Sequence, residues 1–412
     1  MARILILMAT RTYRAAAFMQ AAARLGVDIT VGTEGEQPLA DFTSGATVAL
    51  DFERPRRAQQ QIVEFAERFP IDAVVGVDDD TTVLAALAAE ALGLPHNSVE
   101  SVKATHYKDV MRLILSEADN VLSPWFELVS IDEDPAVVAR RVPYPCVVKP
   151  LSLSASRGVI RADNPQQLGA AIRELIEILG EATLSPEDPA SRQVLIESFI
   201  PGREFALEGL LIDGQLIVLA LFDKPDPMDG PYFEETIYIT PSRLPAQAQQ
   251  AIAESSASAA AALGLREGPV HAEVRLNEQG PWIVEVAARS VGGLCSNALR
   301  FGAADVSLEE IILRQAARLE IASLQRERQP VGVMMIPIPF GGILRDVRGL
   351  AEAKAVPGVE DVVISIPRGH AVVPLPRGTQ YLGFIFSRGE TPQAVESSLR
   401  EAHRRLKFTI DG

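Results

Sequence analysis

The chain has 412 residues, of which 47% are hydrophobic and 23% charged, and its formal net charge at pH 7 is −15. This length and composition exclude wholesale disorder and indicate two or three domains or subdomains. An acidic chain without a basic tract is a poor candidate for nucleic-acid binding, so binding of a polyanion would require local lysines, backbone N–H groups and a metal.

Cysteine content and hydropathy indicate the compartment. The two cysteines, Cys146 and Cys295, are too few for a disulfide framework or a four-thiolate zinc site. The start of the chain lacks the pattern of a secretory leader, and no apolar run reaches the roughly 18 residues of a membrane span. We therefore expect a cytoplasmic protein that does not insert into a membrane.

The first hundred residues alternate between short apolar runs and helical spacing. The predicted strands and helices cover, in order, residues 4–9, 15–25, 27–32, 60–69, 71–77 and 81–92. This rhythm predicts a doubly wound α/β sheet with functional loops at the carboxyl ends of its strands. The polar loops at residues 10–14 and 78–82 follow such strands, and they either face a substrate or are solvated turns.

The rest of the chain becomes richer in strands. Helices are predicted at residues 107–116, 166–179, 246–263, 307–319 and 391–406. Strands are predicted at residues 146–150, 193–199, 203–220 (a hairpin), 270–288 (a hairpin), 333–339, 359–365 and 381–387. The polar stretch at residues 180–192 is predicted to be a surface loop, and residues beyond 321 are typical of a small α+β domain.

The second predicted hairpin carries two acidic residues that would face each other. A three-residue loop ending in Gly280 would place Glu273 opposite Glu285. Carboxylates in that relation repel unless a cation lies between them, and Mg²⁺ commonly binds one or two carboxylates together with substrate phosphates. A loop of two or four residues would break this pairing, and a solvated acidic face is the alternative.

Phosphate-binding chemistry is indicated after the strand at residues 146–150. Lys149 ends this strand and precedes a serine-rich turn with Ser154 and Ser156. A lysine there supplies a point charge for a phosphate, and the backbone N–H groups of the turn could cover it. The P-loop pattern is absent, and a surface lysine is the alternative.

A turn at Pro201–Gly202 separates two strands and is flanked by Glu197 and Glu204. A linker of this kind between two lobes can offer backbone groups to an adenine edge and a carboxylate to ribose hydroxyls. An ordinary hairpin with exposed acids is the alternative.

Five segments, in this order, resemble the ATP-grasp superfamily over roughly residues 1–320: YKDVMR, VVKPLSLSASRGV, ESFIPGREFALEG, HAEVRL and IVEVAARSVGG. The resemblance implies an α/β and α+β chain with the ATP-grasp fold. It would have an N-terminal doubly wound α/β domain at residues 1–100 and a two-lobed ATP clamp at residues 101–320, hinged near residues 197–204. A small C-terminal α+β domain would follow at residues 321–412.

The resemblance also implies three sets of site residues. The ATP-binding set is Lys108, Lys149, Ser154, Ser156, Glu197, Phe199, Ile200 and Glu204. The metal ligands would be Glu273 and Glu285, binding Mg²⁺ with Mn²⁺ as an alternative ion. The catalytic and substrate-binding set is Lys149, Arg289, Glu235, Gly292 and Gly293. For Glu235, a solvated loop acid is an equal alternative.

One position differs from the usual ATP-grasp pattern, and it indicates a particular branch of the superfamily. Many ATP-grasp proteins have Glu-x-Asn at the second metal position, whereas this chain has Ala287 after Glu285. It thereby resembles the L-amino-acid ligases, which commonly carry Glu-x-Ala-x-Arg, and residues 222–242 and the segment MMIPIPFGGILRDVRG resemble that branch too.

The implied activity is ATP-dependent ligation of a carboxylate to an amine, both expected to be amino acids, through an acyl-phosphate with release of ADP and phosphate. Small molecules would be its partners, without nucleic acid or membrane, and the chain could form a homodimer. The alternatives are an ATP-grasp enzyme of the carboxylase or purine-pathway type and an ATP-binding protein without ligase activity.

Overall fold

The computed structural model describes residues 2–10, 12–35, 45–182, 184 and 188–412. Part of the predicted 10–14 and 180–192 loops, at residues 11, 183 and 185–187, lies outside the described residues. The α-helices are α1 Ala15–Leu25, α2 Pro55–Ala66, α3 Asp79–Ala91, α4 Val99–His106, α5 Lys108–Glu117, α6 Pro135–Val138, α7 Pro165–Glu181, α8 Ala246–Ala262, α9 Leu308–Ala316, α10 Leu350–Lys354 and α11 Pro392–Arg405. Within these ranges, no helix has the length and apolar character needed to cross a membrane.

The strands belong to four sheets. They are β1 Arg3–Leu7, β2 Asp28–Thr33, β3 Thr47–Ala49, β4 Ala73–Gly76, β5 Phe126–Ser130, β6 Cys146–Pro150, β7 Ile160–Ala162, β8 Gln193–Ser198, β9 Arg203–Ile212, β10 Gln215–Asp223, β11 Ile237–Thr240, β12 Gly268–Asn277, β13 Gly280–Ala287, β14 Val331–Ile336, β15 Gly342–Arg348, β16 Val359–Ile364, β17 Ala371–Val372, β18 Gly383–Arg388 and β19 Lys407–Asp411.

The N-terminal sheet is parallel, with strand order β3-β2-β1-β4. Ile4 and Ile6 of β1 pack with Phe18 of α1 on one face, whereas Leu5 and Leu7 pack with α2 and α3 on the other. Helices on both faces of a parallel sheet bury its central strand completely, which explains the uninterrupted apolar run in β1. The predicted doubly wound α/β architecture is confirmed. The loops after β1 and β4 leave the same edge of the sheet.

The middle of the chain forms two lobes. The first lobe, residues 126–198, is an antiparallel sheet of order β5-β8-β6-β7 with α6 and α7 packed on it. The second lobe, residues 203–287, contains β9 to β13, with α8 covering one face of its sheet. The predicted two-lobed arrangement is confirmed, and β8 leads directly into the segment that joins the lobes.

The sheet of the second lobe continues into the C-terminal part of the chain. Its eight strands have the order β13-β12-β9-β10-β11-β14-β18-β16, so β14 pairs with β11 across the predicted limit at residue 320. A separate three-stranded sheet has the order β17-β15-β19, and α10 and α11 pack with the core of this region. The mixture of helices and strands agrees with the predicted α+β character, while the domain limits themselves stay predictions.

The β12–β13 hairpin differs from the prediction in its loop. Asn277 pairs with Gly280, so the loop has two residues and not three. A β-bulge beside Glu273 then shifts the register by one residue, and Glu273 lies opposite Glu285. The predicted loop is wrong and the predicted acid pair is confirmed, because the extra residue of the bulge compensates for the shorter loop.

Candidate active site

A cavity of about 1660 Å³, including its open mouth, lies between the two lobes and the N-terminal sheet. All the predicted site residues line it, namely Lys108, Lys149, Ser154, Ser156, Glu197, Phe199, Ile200, Glu204, Glu235, Glu273, Glu285, Arg289, Gly292 and Gly293. These residues come from segments far apart in the sequence, so the fold has to bring them together.

The N-terminal and C-terminal parts of the chain complete the cavity wall. The two polar loops of the N-terminal sheet contribute Tyr13 with Arg14 and the acidic run of residues 78–80. The C-terminal part contributes Thr379 and Tyr381. Of the two interpretations of the N-terminal loops, the substrate-facing one is favoured, because both loops reach the cavity.

Two lysines lie on one side of the cavity. Lys149, near the end of β6, is only 8% exposed, so the surface-lysine alternative is wrong. Its Nζ donates a hydrogen bond to Glu197 Oε2 at 2.7 Å. Lys108, at the start of α5, donates to the Leu153 carbonyl at 3.0 Å and to Glu285 Oε1 at 3.2 Å. Both ammonium groups thus belong to residues that line the cavity, and that of Lys108 contacts the start of the serine-rich loop, where a phosphate would need it.

Glu197 is buried beneath the segment that joins the lobes. Its Oε1 accepts a hydrogen bond from Arg112 Nε at 2.9 Å, opposite the bond from Lys149. Burial raises the pKa of Glu197, but the charges of Arg112 and Lys149 outweigh burial, and the pKa falls below its usual value. Glu197 is therefore a carboxylate with both oxygens engaged, and its predicted place at the adenine stays a prediction.

Arg112 was not predicted to be a functional residue, although it is the last residue of the segment YKDVMR. It is fully buried, and its guanidinium also donates to the carbonyls of Ile283 and Val284 at 2.9 Å each. It thereby ties the first lobe to β13. A buried arginine has no distinctive local sequence pattern, and three of the partners of Arg112, namely Glu197, Ile283 and Val284, are 85 to 172 residues away in the chain.

Lys224 is a second residue that the sequence analysis missed. It lies just after β10 and is 5% exposed, and its Nζ lies 2.8 Å from Glu204 Oε1, 2.5 Å from Glu235 Oε1 and 3.3 Å from Glu273 Oε1. Carboxylate oxygens of these three acids lie within 4.8 Å of one another. The ammonium group therefore neutralises an acidic cluster. Glu235 faces this cluster, and its alternative as a solvated loop acid is wrong.

Removing this charge should destabilise the protein strongly. We expect Lys224→Met to lower the free energy of unfolding by about 3 kcal/mol, because it leaves buried carboxylates without their counter-ion. Urea unfolding followed by circular dichroism measures the change. The matched control is Lys354→Met, which removes an exposed pair with Asp361 and should cost less than about 1 kcal/mol. Equal effects of the two substitutions would contradict the interpretation.

His271 lies between the carboxylates of Glu208 and Glu273. Its Nδ1 lies 3.2 Å from Glu208 Oε2 and its Nε2 lies 3.8 Å from Glu273 Oε1. Burial would lower the pKa of His271, but the neighbouring carboxylates of Glu208 and Glu273 raise it to about 9. The pKa of Glu273 lies well below its usual value, since Lys224 and His271 outweigh the effect of burial. Glu273 is thus held ionised and oriented toward the cavity.

Glu273 and Glu285 fit the chemistry of a divalent-cation site. Both are carboxylates at the cavity wall, and their side chains are 23% and 31% exposed, so an ion can reach them. The more closely packed set of Glu204, Glu235 and Glu273 is a poorer candidate, because Lys224 already lies among those oxygens. Hard oxygen donors of this kind suit Mg²⁺ or Ca²⁺ chemistry.

Arg289 forms a bidentate ion pair with Asp79, the first residue of α3. Its Nε and one terminal nitrogen donate to the two carboxylate oxygens of Asp79 at 2.8 and 2.7 Å. Burial would raise the pKa of Asp79, but the charge of Arg289 lowers it. Asp79 begins α3 at the loop that lines the cavity. The guanidinium is therefore fixed in direction at the point where the N-terminal sheet meets the second lobe.

The glycine pair after Arg289 brings the backbone close to β18. Gly293 has a φ of +61°, and a Cβ there would lie 3.0 Å from the Phe384 ring. A side chain at this position would therefore be strained and crowded. The predicted shaping of the substrate pocket by Gly292 and Gly293 is consistent with this close approach, and it stays a prediction.

Three protein-family models match the chain. They are the ATP-grasp N-terminal domain at residues 19–96, the ATP-grasp domain at residues 142–298 and the L-amino acid ligase C-terminal domain 2 at residues 334–411.

The individual proteins to which the chain is similar include ligases. The chain is 27% identical to an alanine–anticapsin ligase of Bacillus subtilis over 271 residues, which cover 62% of this chain and 57% of that protein. It is 27% identical to carnosine synthase 1 of Gallus gallus over 285 residues, covering 66% of this chain and 30% of that protein. The aligned region thus spans little more than half the length of the alanine–anticapsin ligase and less than a third of the length of the carnosine synthase. The crystal structure of an L-amino acid ligase from Bacillus licheniformis has a TM-score of 0.84 and 26% identity, covering 100% of this chain and 99% of that one.

Proposed function

We propose that this chain, which belongs to the ATP-grasp superfamily, is an ATP-dependent ligase that joins two amino acids through an amide bond. The observation that supports this proposal most is the meeting of all the predicted site residues in one cavity. These residues come from the five resemblance segments and, for Glu235, from a sixth, and the fold brings all of them to the same cavity.

ATP would lie in the cleft between the lobes. The adenine would rest along Phe199 and Ile200, where backbone groups of the joining segment are available, and Glu204 would accept hydrogen bonds from the ribose hydroxyls. Lys108 and Lys149 would neutralise the phosphates. Both lysines are held by carboxylates in the described structure, so they are already aimed at the cleft before the nucleotide binds.

Ser154 and Ser156 would cover the phosphates. They lie in the loop after β6, in which Ala155 and Ser156 have φ values of +55°. A turn of this kind can present successive backbone N–H groups to an anion.

Glu273 and Glu285 would hold Mg²⁺, which Mn²⁺ could replace. When bound, the ion would neutralise the charge that develops on the transferring phosphoryl group. The protein's own contribution is to fix the two carboxylates, Glu273 through His271 and Lys224 and Glu285 through Lys108. Ala287 lines the same cavity without offering a ligand atom, so the protein supplies two carboxylates and the phosphates would supply further oxygens.

The reaction would proceed in two steps. A carboxylate oxygen of the first amino acid attacks the γ-phosphorus of ATP, the bond to the β-phosphate oxygen breaks, and ADP leaves. The amino nitrogen of the second amino acid then attacks the acyl carbon, and phosphate leaves as the amide forms and the nitrogen loses a proton. Arg289 would stabilise the negative oxygen of the intermediate, since its direction is fixed by Asp79.

The charges of the cavity favour amino acids over bicarbonate or a phosphorylated amine. An amino acid carries an ammonium group and a carboxylate, and the wall offers both the acidic run of residues 78–80 and the buried cation Arg14. Apolar and aromatic neighbours, including Tyr13, Met335 and Tyr381, would contact a side chain. Groups of opposite charge that lie close together, as Arg14 and the acidic run do at this edge of the N-terminal sheet, suit a zwitterion.

A substrate screen tests this function. The purified protein is incubated with ATP and MgCl₂ and with pairs of amino acids, ADP release is followed by a coupled assay, and products are identified by mass spectrometry. We expect ADP release that requires amino acids, and a product of the summed mass less one water. ADP release with bicarbonate alone would favour the carboxylase alternative, and nucleotide binding without turnover for any pair would favour the non-catalytic one.

We propose two further properties, the location of the protein and its oligomeric state. A cytoplasmic location agrees with two buried free thiols, Cys146 and Cys295. A homodimer stays a prediction, which light scattering after size-exclusion chromatography would test.

A further inference from the structure

A turn in the C-terminal part of the chain, residues 373–381, reaches across to the first lobe. The Pro376 carbonyl accepts a hydrogen bond from the Gly158 N–H at 2.9 Å, at the end of the serine-rich loop. The next residue, Arg377, donates to Glu174, Glu177 and Glu181 of α7 at 2.8, 2.5 and 2.6 Å. We call residues 373–381 the C-terminal turn.

The three glutamates lie on one face of α7. Their spacing of three and four residues makes them neighbours on the helix surface, where like charges repel. A single guanidinium satisfies all three, because its planar fork presents five N–H donors in fixed directions. This face of α7 therefore gains three hydrogen bonds from a residue about 200 positions later in the chain, whereas Arg157 of the serine-rich loop lies 4.0 Å from Glu181 alone.

The C-terminal turn is stiff. Its closing hydrogen bond runs from the Gly378 N–H to the Pro374 carbonyl at 2.9 Å, and a Cβ on Gly378 would lie 1.8 Å from the Val373 carbonyl oxygen. Only glycine permits so close an approach of two backbone segments. Thr379 and Tyr381 follow at once and line the cavity. The turn thus joins the cavity wall to α7 as one rigid connection.

The loop that the C-terminal turn contacts needs outside support. Ala155 and Ser156 both have φ values of +55°, a conformation that costs energy for residues other than glycine. Lys108 holds one end of this loop through the Leu153 carbonyl. Pro376 holds the other end through Gly158.

We propose that Arg377 is a positioning residue that fastens the first lobe to the C-terminal part and so keeps the serine-rich loop closed over the cavity. The inference rests on the proposed ligase function, because a closed loop matters most for a reaction whose acyl-phosphate intermediate water would destroy. It gives the C-terminal part a role in catalysis that does not require it to touch ATP.

Hydrogen exchange tests the positioning without any need for turnover. Deuterium uptake of the peptide that contains residues 154–158 is compared in the wild type, Arg377→Ala and Arg141→Ala, each with the non-hydrolysable analogue AMP-PNP and MgCl₂. Arg141 is a matched control, since it also pairs with two glutamates, Glu127 and Glu133, but all three lie in the first lobe.

We expect exchange of this peptide to rise several-fold in Arg377→Ala and to stay at the wild-type rate in Arg141→Ala. The exchange rate of this peptide in Arg377→Lys should be intermediate, because lysine restores the positive charge but not the planar set of N–H donors. Equal uptake in the wild type and Arg377→Ala would overturn the inference, and this result would leave the ligase proposal intact.

Coupling of ATP use to amide formation gives a second readout. In Arg377→Ala we expect more ADP per amide and a higher KM for ATP, with thermal unfolding close to that of Arg141→Ala. The ion pairs of Arg377 are partly exposed, so salt should screen them. Raising NaCl from about 0.05 M to about 0.5 M should therefore raise the ratio of ADP to amide in the wild type toward the ratio in the variant. An unchanged ratio of ADP to amide in the variant would also overturn the inference.

Discussion

Glu285→Gln should lower the rate of ADP release by about 100-fold or more, because the substitution removes the charge that would hold a divalent cation on the phosphates. Glutamine keeps the shape of the side chain and can still accept a hydrogen bond from Lys108, which lies 3.2 Å from Glu285 Oε1. The loss should therefore come from the missing charge and not from misfolding. The coupled ADP assay, run over a range of MgCl₂ concentrations, measures both the rate and the metal dependence.

The control lies in the same hairpin. Glu278 is an exposed acid of the two-residue loop between β12 and β13, and Glu278→Gln removes the same charge far from the cavity wall. We expect its rate and its metal dependence to match the wild type. Near-normal turnover in Glu285→Gln, with an unchanged requirement for MgCl₂, would show that the metal ligands have been assigned to the wrong residues.

Arg289→Met should lower the rate of amide formation by about 1000-fold, because it removes the cation expected to stabilise the negative oxygen of the intermediate. Binding of ADP with MgCl₂, measured by calorimetry, should change little. The ADP assay is combined with hydroxylamine, which captures an acyl-phosphate as a hydroxamate. A loss of amide with captured hydroxamate remaining would assign Arg289 to the second step, and a loss of both would assign it to the first step as well.

Asp79→Asn separates the role of Arg289 in chemistry from its role in joining the N-terminal sheet to the second lobe. It weakens the ion pair at 2.7 Å but leaves the guanidinium in place. We expect a much smaller loss of rate than in Arg289→Met. If the two variants were equally impaired, the contribution of Arg289 would lie in holding the two parts together.

The sequence predicted best those features that depend on neighbouring residues. The bounds of α1 and β6 agree with the prediction, since Gly26 ends the helix in the left-handed conformation and β6 is buried throughout. The elements that were missed are the strands β3, β5, β7, β11, β15, β17 and β19 and the helices α4, α6 and α10. For α4 a signal existed, because Ser98 accepts the N-cap hydrogen bond from the Ser101 N–H.

Features that depend on pairing between residues far apart in the chain could not be predicted from local sequence patterns. The acid pair of β12 and β13 was predicted through two errors that cancel, because a bulge cannot be seen in the alternation of one strand. Arg112 and Lys224 look like ordinary basic residues, and only the folded chain shows that each neutralises a buried carboxylate. The resemblance located the cavity residues, but it said nothing of which charges hold them in place.

The eight-stranded sheet limits how chains of this architecture can be recombined. A chimera made by exchanging everything after residue 320 would separate β14 from β11, whose pairing runs from Ile237 with Met334 to Thr240 with Val331. The donor's strand would have to match the recipient's in register and twist, or each half would expose an unpaired edge prone to aggregation. Grafts intended to change substrate preference should therefore exchange single loops of the cavity wall and leave the shared sheet whole.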